Sequence, residues 1–127
     1  MPTTYEKLIV FKRVRVLIRR VYAVTADFPP SELYGIVSQM RRAAISVLSD
    51  IAESQGRLTY GEFRQLLSQA RGSLYEVEAQ AIAAGDLGFL NHQSLLILRA
   101  RVRSVAKPLA GFIRWTQERE SDGKRKR

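Results

Sequence analysis

Asp50 and Glu53 come nearest, of all the residues in this chain, to a pair that could do acid–base chemistry. They stand three positions apart in a segment with helical periodicity, so both carboxyl groups would lie on one helix face. Arg42 and Arg57 share that face, and a structural ion-pair network accounts for the carboxylates without catalysis. The predicted polar network comprises Gln39, Arg42, Asp50, Glu53 and Arg57.

The chain offers little else for catalysis or metal binding. It has no cysteine and a single histidine, His92, which excludes disulfides and leaves no cluster for a zinc site or a catalytic triad. His92 follows a predicted helix cap, an exposed setting for which we predict no role. No nucleophile stands near a base and no phosphate-binding loop occurs. We therefore expect a protein that is not an enzyme and that uses no cofactor or metal.

Size and composition indicate one ordinary globular domain. At 127 residues and 46% hydrophobic content, the chain is long enough to bury a single core. The start, Met1-Pro2-Thr3-Thr4, lacks the order of a secretion signal, and no apolar run is long enough to span a membrane. We expect a cytoplasmic protein without a membrane partner.

The net charge of +9 is spread unevenly along the chain. Residues 1–28 and 91–120 each carry a net +4, and the last seven residues add +3. Residues 59–90 instead carry a net −2. Segregated positive charge of this kind attracts polyanions, and nucleic acid is the partner that it favours.

Four segments with helical periodicity predict an all-α fold. Short connections make successive helices antiparallel neighbours, which gives an up-down-up-down four-helix bundle with the fourth helix beside the first. We assign residues 1–120 to this single domain and residues 121–127 to a disordered basic tail.

Local signals set the starts of the second and third helices. Ser31 is a candidate N-cap for the second helix, which is expected to bury Leu33 in its first turns. Thr59 and Glu62 have the spacing of a capping box, in which side chains satisfy the free amide groups of a helix start.

The fourth helix is expected to begin after Asn91 as its cap. Pro108 falls inside this helix and removes one backbone hydrogen bond. A kink or break is therefore predicted between Ser104 and Pro108.

Basic side chains recur at helical spacing on the outer sides of the first and fourth helices. Because these helices are neighbours in the predicted bundle, we expect the residues to form one basic surface, extended by the tail, that binds nucleic-acid phosphates. The candidate nucleic-acid-binding residues are Lys12, Arg15, Arg19, Arg99, Arg103, Lys107, Arg114, Lys124 and Arg125. Few aromatic residues accompany them, which favours structured RNA or DNA over single strands.

Candidates for contacts between subunits lie on the third and fourth helices. Arg71, Tyr75 and Ile82 lie away from the polar row of the third helix, and Trp115 lies off the core stripe of the fourth. Aromatic residues and arginine are enriched at interface cores. An ordinary, partly exposed tyrosine and a tryptophan that closes the bundle end explain the pattern equally well.

A set of motifs along nearly the whole chain resembles one family. The motifs are Leu33-Tyr34-Gly35, Gln39 to Ser46, Asp50-Ile51-Ala52-Glu53, Gly56-Arg57, Gly72-Ser73-Leu74 and Leu87-Gly88-Phe89-Leu90. Together they are similar to the bacterial four-helix bundle proteins encoded in intervening sequences of 23S ribosomal RNA genes. This chain departs from the family pattern at Leu48, Asp50 and Ser54, where proline, asparagine and glycine are usual.

The resemblance implies a fold and an assembly more directly than a function. It implies a four-helix bundle that assembles into a ring, with a pentamer as the expected form, as in the related accessory protein of diversity-generating retroelements. That relative binds a reverse transcriptase and nucleic acid through a positively charged surface.

Two hypotheses of function follow. The first is a non-enzymatic, oligomeric scaffold that binds structured RNA or DNA through the basic surface of the first and fourth helices. The alternative is a protein-interaction adaptor, for example for a polymerase or reverse transcriptase, without nucleic-acid binding of its own. A peripheral membrane role ranks third, because a packed bundle leaves no bulky apolar side free to insert.

Overall fold

The structure is a computed structural model that describes Tyr5 and residues 8–125, and it consists of four helices. These helices are α1 (Ile9–Thr25), α2 (Ser38–Ser54), α3 (Tyr60–Asp86) and α4 (His92–Arg125). Each helix packs against the next along the chain, and α4 also packs against α1. The predicted all-α four-helix bundle is confirmed.

The core lies along the bundle axis, where one apolar stripe from each helix meets the others. On α1 the stripe includes Phe11, Val14, Val21 and Thr25, as the periodicity predicts, while Ile18 is half-buried. The largest fully buried side chains are Leu17, Met40, Ile51, Leu67, Leu74, Leu98 and Leu109.

The connection between α1 and α2 differs from the prediction. A 3₁₀ turn at Pro30–Glu32 and a kinked π-helical segment at Leu33–Val37 precede α2, and Ser31 makes no side-chain cap. The kink is at Gly35, whose backbone angles (φ −106°, ψ −118°) are not helical. It breaks the register of the helix before α2, so Leu33 is 47% exposed and its predicted burial is wrong.

Thr59 and Asn91 cap α3 and α4 as predicted, while the Glu62 carboxylate makes no hydrogen bond within the described part of the chain that would complete the capping box. The Thr59 hydroxyl accepts a hydrogen bond from the Glu62 amide at 3.1 Å, and the Asn91 side-chain oxygen accepts one from the Ser94 amide at 2.8 Å. Between these helices Gly88 takes φ +79°, a conformation that glycine adopts without strain. These local interactions fix where α3 ends and α4 begins.

Pro108 lies inside α4, yet the helix continues through it, so the predicted break is absent and the predicted kink stays a prediction. Proline has no amide hydrogen, which leaves the Ser104 carbonyl four residues earlier without its helical donor. The Arg13 guanidinium of α1 donates to that carbonyl at 2.9 Å. The backbone cost of the proline is therefore offset by a hydrogen bond that joins α1 to α4.

α4 remains helical as far as Arg125. It thus includes residues 121–125, which the sequence analysis assigns to a tail beyond the domain. Glu120, at the predicted boundary, pairs with Arg64 of α3 at 3.1 Å, so the helix is held to α3 up to this point.

Candidate nucleic-acid interface

The basic residues of α1 lie on the side of the helix that faces α2. Lys12, Arg15 and Arg19 are exposed and follow steps of three and four that lead on to Tyr22. The Arg41 guanidinium of α2 lies over the Tyr22 ring, 4.6 Å from its centroid. We call Lys12, Arg15 and Arg19 the α1 row; it lies along the α1–α2 side of the bundle.

Two basic residues of α4, Arg99 and Arg114, lie on the side that faces α3. Arg99 forms an ion pair with Glu78 of α3 at 3.5 Å, and Arg114 lines a groove whose other wall belongs to α3. Arg103 and Lys107 continue the spacing of four from Arg99 and are exposed. We call Arg99, Arg103, Lys107 and Arg114 the α4 row.

No contact in the described part of the chain joins the two rows into the one surface that is predicted from the sequence. The α1 row leads to Tyr22, which contacts α2, and Arg99 and Arg114 of the α4 row border α3. The residues that do lie between α1 and α4 include Arg13, which donates to Ser104, and Pro108, which forms an apolar groove with Ile9.

Three residues predicted to contact other subunits lie beside the α4 row. Arg71 lines the groove shared with Arg114, and Glu78 pairs with Arg99, so this edge of α3 faces α4. Tyr75 lies between Arg71 and Glu78 at steps of four and three, and Ile82 follows Glu78 by four. Tyr75 is 52% exposed and Ile82 37% exposed. The predicted subunit-contact set and the α4 row thus share one face, the α3–α4 face.

The α3–α4 groove is the most basic concavity on this face, with a volume of about 550 Å³. Its walls carry Arg64 and Arg71 from α3 and Arg114 from α4. Sequence reasoning missed Arg64, although its spacing of seven from Arg71 puts both on one edge of a helix. One Arg64 nitrogen, Nη2, pairs with Glu120, while the other, Nη1, is buried without a partner among the residues described.

Trp115, the fourth predicted subunit contact, packs within an aromatic cluster at the end of the bundle. Its ring lies 5.8 Å from Tyr60, 6.1 Å from Phe63 and 5.8 Å from Phe112, measured between centroids. The Arg119 guanidinium lies over the Trp115 ring, 5.6 Å from its centroid. Trp115 is 37% exposed, and this packing favours its role in closing the bundle end.

The predicted polar network lies between α2 and α3. Gln39, Arg42 and Ser46 line a groove with Ser73 and Glu76 of α3, and the two serine hydroxyls are hydrogen-bonded at 3.2 Å. Polar side chains of α2 and α3 therefore meet in this groove. Gln65 of α3 lines the α3–α4 groove.

The carboxylates of the network are less paired than predicted. Glu53 contacts Arg57 at 4.0 Å on the surface, whereas Asp50 forms no ion pair with any residue that the structure describes. Partial burial raises the pKa of the Asp50 carboxyl above its usual value, and the negative charge of Glu53 adds to the effect. The network is thus a local surface feature, since one exposed ion pair contributes little to stability.

The remaining singled-out residues lie at the two ends of α4. His92 is exposed at the start of α4. Lys124 and Arg125 belong to the last turn of α4, and their side chains lie outside the part of the chain that the structure describes. Within the described ranges, no group of three His, Cys, Asp or Glu side chains could hold a metal ion. The helices described include none that is long and apolar enough to cross a membrane.

Fold and site together define a small, basic four-helix bundle whose α3–α4 face carries a groove lined by arginines. The family model of the 23S rRNA-intervening sequence protein matches residues 6–111, and the chain belongs to this family. No curated protein sequence matches the chain. The matched span ends before Arg114, Trp115 and Glu120. The implied link to the retroelement accessory protein stays a prediction.

Proposed function

We propose that the protein is a non-enzymatic, oligomeric scaffold that binds structured RNA or DNA through its α3–α4 face. The observation that carries the proposal is the state of the charges on this face. Two of its carboxylates, Glu78 and Glu120, are each paired with an arginine. Among the residues described, Arg71, Arg103, Lys107 and Arg114 have no ion pair and are exposed, which leaves them to meet phosphates.

The arrangement of these cations fits phosphate contacts better than base readout. Arg103 and Lys107 stand one turn apart along α4, and the row continues to Arg114, so the cations follow a line on a rigid helix. Tyr75 is the aromatic ring that we place on this face, and one ring does not form a platform on which successive bases could stack. A line of cations on a rigid helix recognises the backbone and shape of a duplex, and such contacts carry little sequence information.

The α1 row is a second basic surface on another side of the bundle. In the sequence-based hypothesis it acts with the α4 row, but a rigid duplex that lies along α3 and α4 would not reach the α1–α2 side of the same subunit. We therefore assign the main contact to the α4 row and treat the α1 row as a source of long-range attraction alone.

The oligomer in this proposal is a ring, with five subunits as the number that the family resemblance implies. Exposed apolar side chains of the α3–α4 face support contacts between copies near the α3–α4 loop: Ile82 is 37% exposed and Leu96 is 53% exposed. Light scattering tests this part by itself. A mass equal to one 14.4 kDa chain at working concentration would overturn the ring.

Binding of a fluorescent structured RNA across a salt series tests the proposed interface. The test variant is Arg103→Glu/Lys107→Glu, and the matched control is Arg15→Glu/Arg19→Glu. Both remove two exposed cations four positions apart on one helix, and both lower the net charge equally. We expect the α4 variant to lose at least about tenfold in affinity and to reduce the salt slope by about two, as for two lost phosphate contacts.

The outcomes separate the hypotheses. Equal losses in both variants would show that general positive charge attracts the RNA without a defined face. A loss confined to the α1 variant would move the site to the α1–α2 side. A chain that ends at Gly123 removes Lys124 and Arg125, and binding that vanishes with this truncation alone would assign the site to the tail. If RNA does not bind at all, the adaptor hypothesis replaces the proposal.

A further inference from the structure

The α3–α4 groove has an unusual set of polar groups for a surface concavity. Arg64 and Arg71 on one wall face Arg114 on the other, and Gln65, Ser68 and Gln117 add further hydrogen-bonding groups. No carboxylate lines the groove itself. Glu120, the nearest acid identified, contacts Arg64 from beside it. The groove thus presents three arginines against one adjacent carboxylate, an excess of positive charge.

Arg64 supplies the second observation. Its Nη2 is paired with Glu120 at 3.1 Å, which fixes the plane of the guanidinium. Its Nη1 is shielded from solvent and has no hydrogen-bond partner among the described residues. A buried guanidinium N–H without an acceptor is costly, and native structures satisfy almost all such groups. A shift of the Arg64 side chain toward the groove, which it lines, would let Nη1 meet an acceptor there.

We propose that the α3–α4 groove is a binding site for a phosphate group, held by Arg64, Arg71 and Arg114. Three guanidinium groups on two rigid helices match the several oxygens of a phosphate, and arginine pairs with such oxygens through two parallel hydrogen bonds. Arg64 is held in place by Glu120, while exposed Arg71 and Arg114 close on the ligand from opposite walls. A groove of about 550 Å³ has room for more than one phosphate group, so a diphosphate or a nucleic-acid backbone segment fits.

The phosphate site itself does not depend on the proposed function. Only the suggestion that the phosphate belongs to bound RNA rests on it, because the groove adjoins the α4 row. The same chemistry could come from the backbone of bound RNA or from a free phosphate compound. The proposed interface is tested at Arg103 and Lys107, neither of which lines the groove. Tests at the groove itself therefore give an independent answer.

Isothermal titration of the full chain with pyrophosphate, at an ionic strength held constant with sodium chloride, tests the site directly. The first variant is Ser68→Glu, which places a carboxylate in the groove at an exposed position and leaves the Arg64–Glu120 pair intact. The control is Gln69→Glu, at the next position of α3 but outside the groove, with the same change of charge. The second variant, Arg64→Lys, keeps the charge and loses the planar fork.

We expect the wild-type chain and Gln69→Glu to bind pyrophosphate alike, and Ser68→Glu and Arg64→Lys to bind it at least about tenfold more weakly. Thermal unfolding of each variant without ligand checks that all of them fold. Absence of pyrophosphate binding to the wild-type chain overturns the site. So does an equal loss in Ser68→Glu and Gln69→Glu, because a diffuse positive surface would explain it.

Competition with the labelled RNA distinguishes the two sources. If pyrophosphate displaces RNA and Arg64→Lys weakens both, the groove holds a backbone phosphate. If pyrophosphate binds without displacing RNA, the groove takes a free phosphate compound, and the site stands. RNA binding without pyrophosphate binding overturns the groove and leaves the proposed interface; pyrophosphate binding without RNA binding does the reverse.

Discussion

The two edges of α3 differ in chemistry although they belong to one helix. Towards α2, the helix presents Ser73 and Glu76 to a small polar groove and makes a hydrogen bond between serine hydroxyls. Towards α4, it presents Arg64 and Arg71, and its carboxylate Glu78 is paired with Arg99. A segment with a net negative charge thus supplies two arginines to a groove lined by three. Charge summed along a sequence does not describe charge on a surface.

Leu74 lies in the core between these two edges and is fully buried, so its substitution should have the largest effect on stability. Leu74→Ala leaves a cavity against α2 and α4 and should lower the free energy of unfolding by about 2–5 kcal/mol. Urea unfolding followed by circular dichroism measures this. The control Leu58→Ala, at a 97% exposed position, should change stability by no more than about 0.5 kcal/mol.

The sequence predicted the helices and their buried stripes because both depend on local periodicity and caps. Thr59 and Asn91 cap α3 and α4 as expected. The sequence did not predict the kink at Gly35, because Ser31-Glu32 has the pattern of an ordinary helix start. In the structure these residues belong to a 3₁₀ turn, and the kink follows it.

The candidate site was harder to predict than the fold. Periodicity places Arg99 and Arg103 beside the core stripe of α4 but does not tell which neighbouring helix lies on that side. This depends on the handedness of the bundle, a property of the whole fold that loop geometry and core packing determine. The spacing therefore identifies two basic rows, while their assignment to one common surface stays a prediction. Arg64 was missed because its pairing with Glu120 joins positions far apart in sequence.

The hydroxyl pair on the α2-facing edge gives the next largest effect. Ser46→Ala and Ser73→Ala each remove one partner of a half-buried hydrogen bond, and each should cost about 0.5–1.5 kcal/mol of stability. Because the double variant leaves no unpaired hydroxyl, its cost should be smaller than the sum of the two single costs. Strict additivity in a double-mutant cycle would contradict the pairing. RNA binding at the other edge should not change.

A matched pair of carboxylate substitutions sharpens the difference between the edges. Glu78→Gln on the α4-facing edge frees Arg99 for phosphate and should strengthen RNA binding roughly threefold near 0.1 M salt. Glu76→Gln removes the same charge two positions away, on the α2-facing edge, and should leave binding nearly unchanged. Fluorescence anisotropy with one labelled RNA compares both. Equal strengthening would mean that the edges are not electrostatically distinct.

Asp50, beside the α2-facing edge, gives the smallest effect. Burial, and then the charge of Glu53, raise its pKa in the folded state above the usual value of 3.8. The folded protein therefore holds this proton more tightly than the unfolded chain does. The protonated carboxyl favours folding below the unfolded-state pKa, and that contribution is lost as the pH rises through the folded-state pKa. Asp50→Asn cannot titrate, so it should flatten this part of the stability profile.

Urea unfolding between pH 3 and pH 7 measures the profile of the wild-type chain and of Asp50→Asn, and the predicted signature is their difference. That difference should grow in favour of the asparagine variant as the pH rises above about 3.8 and then level off. Glu53→Gln should reduce the change, because it removes the neighbouring charge. A difference that grows in the opposite direction would mean that Asp50 accepts stabilising hydrogen bonds in its charged form. The α2-facing edge would then be a paired network after all.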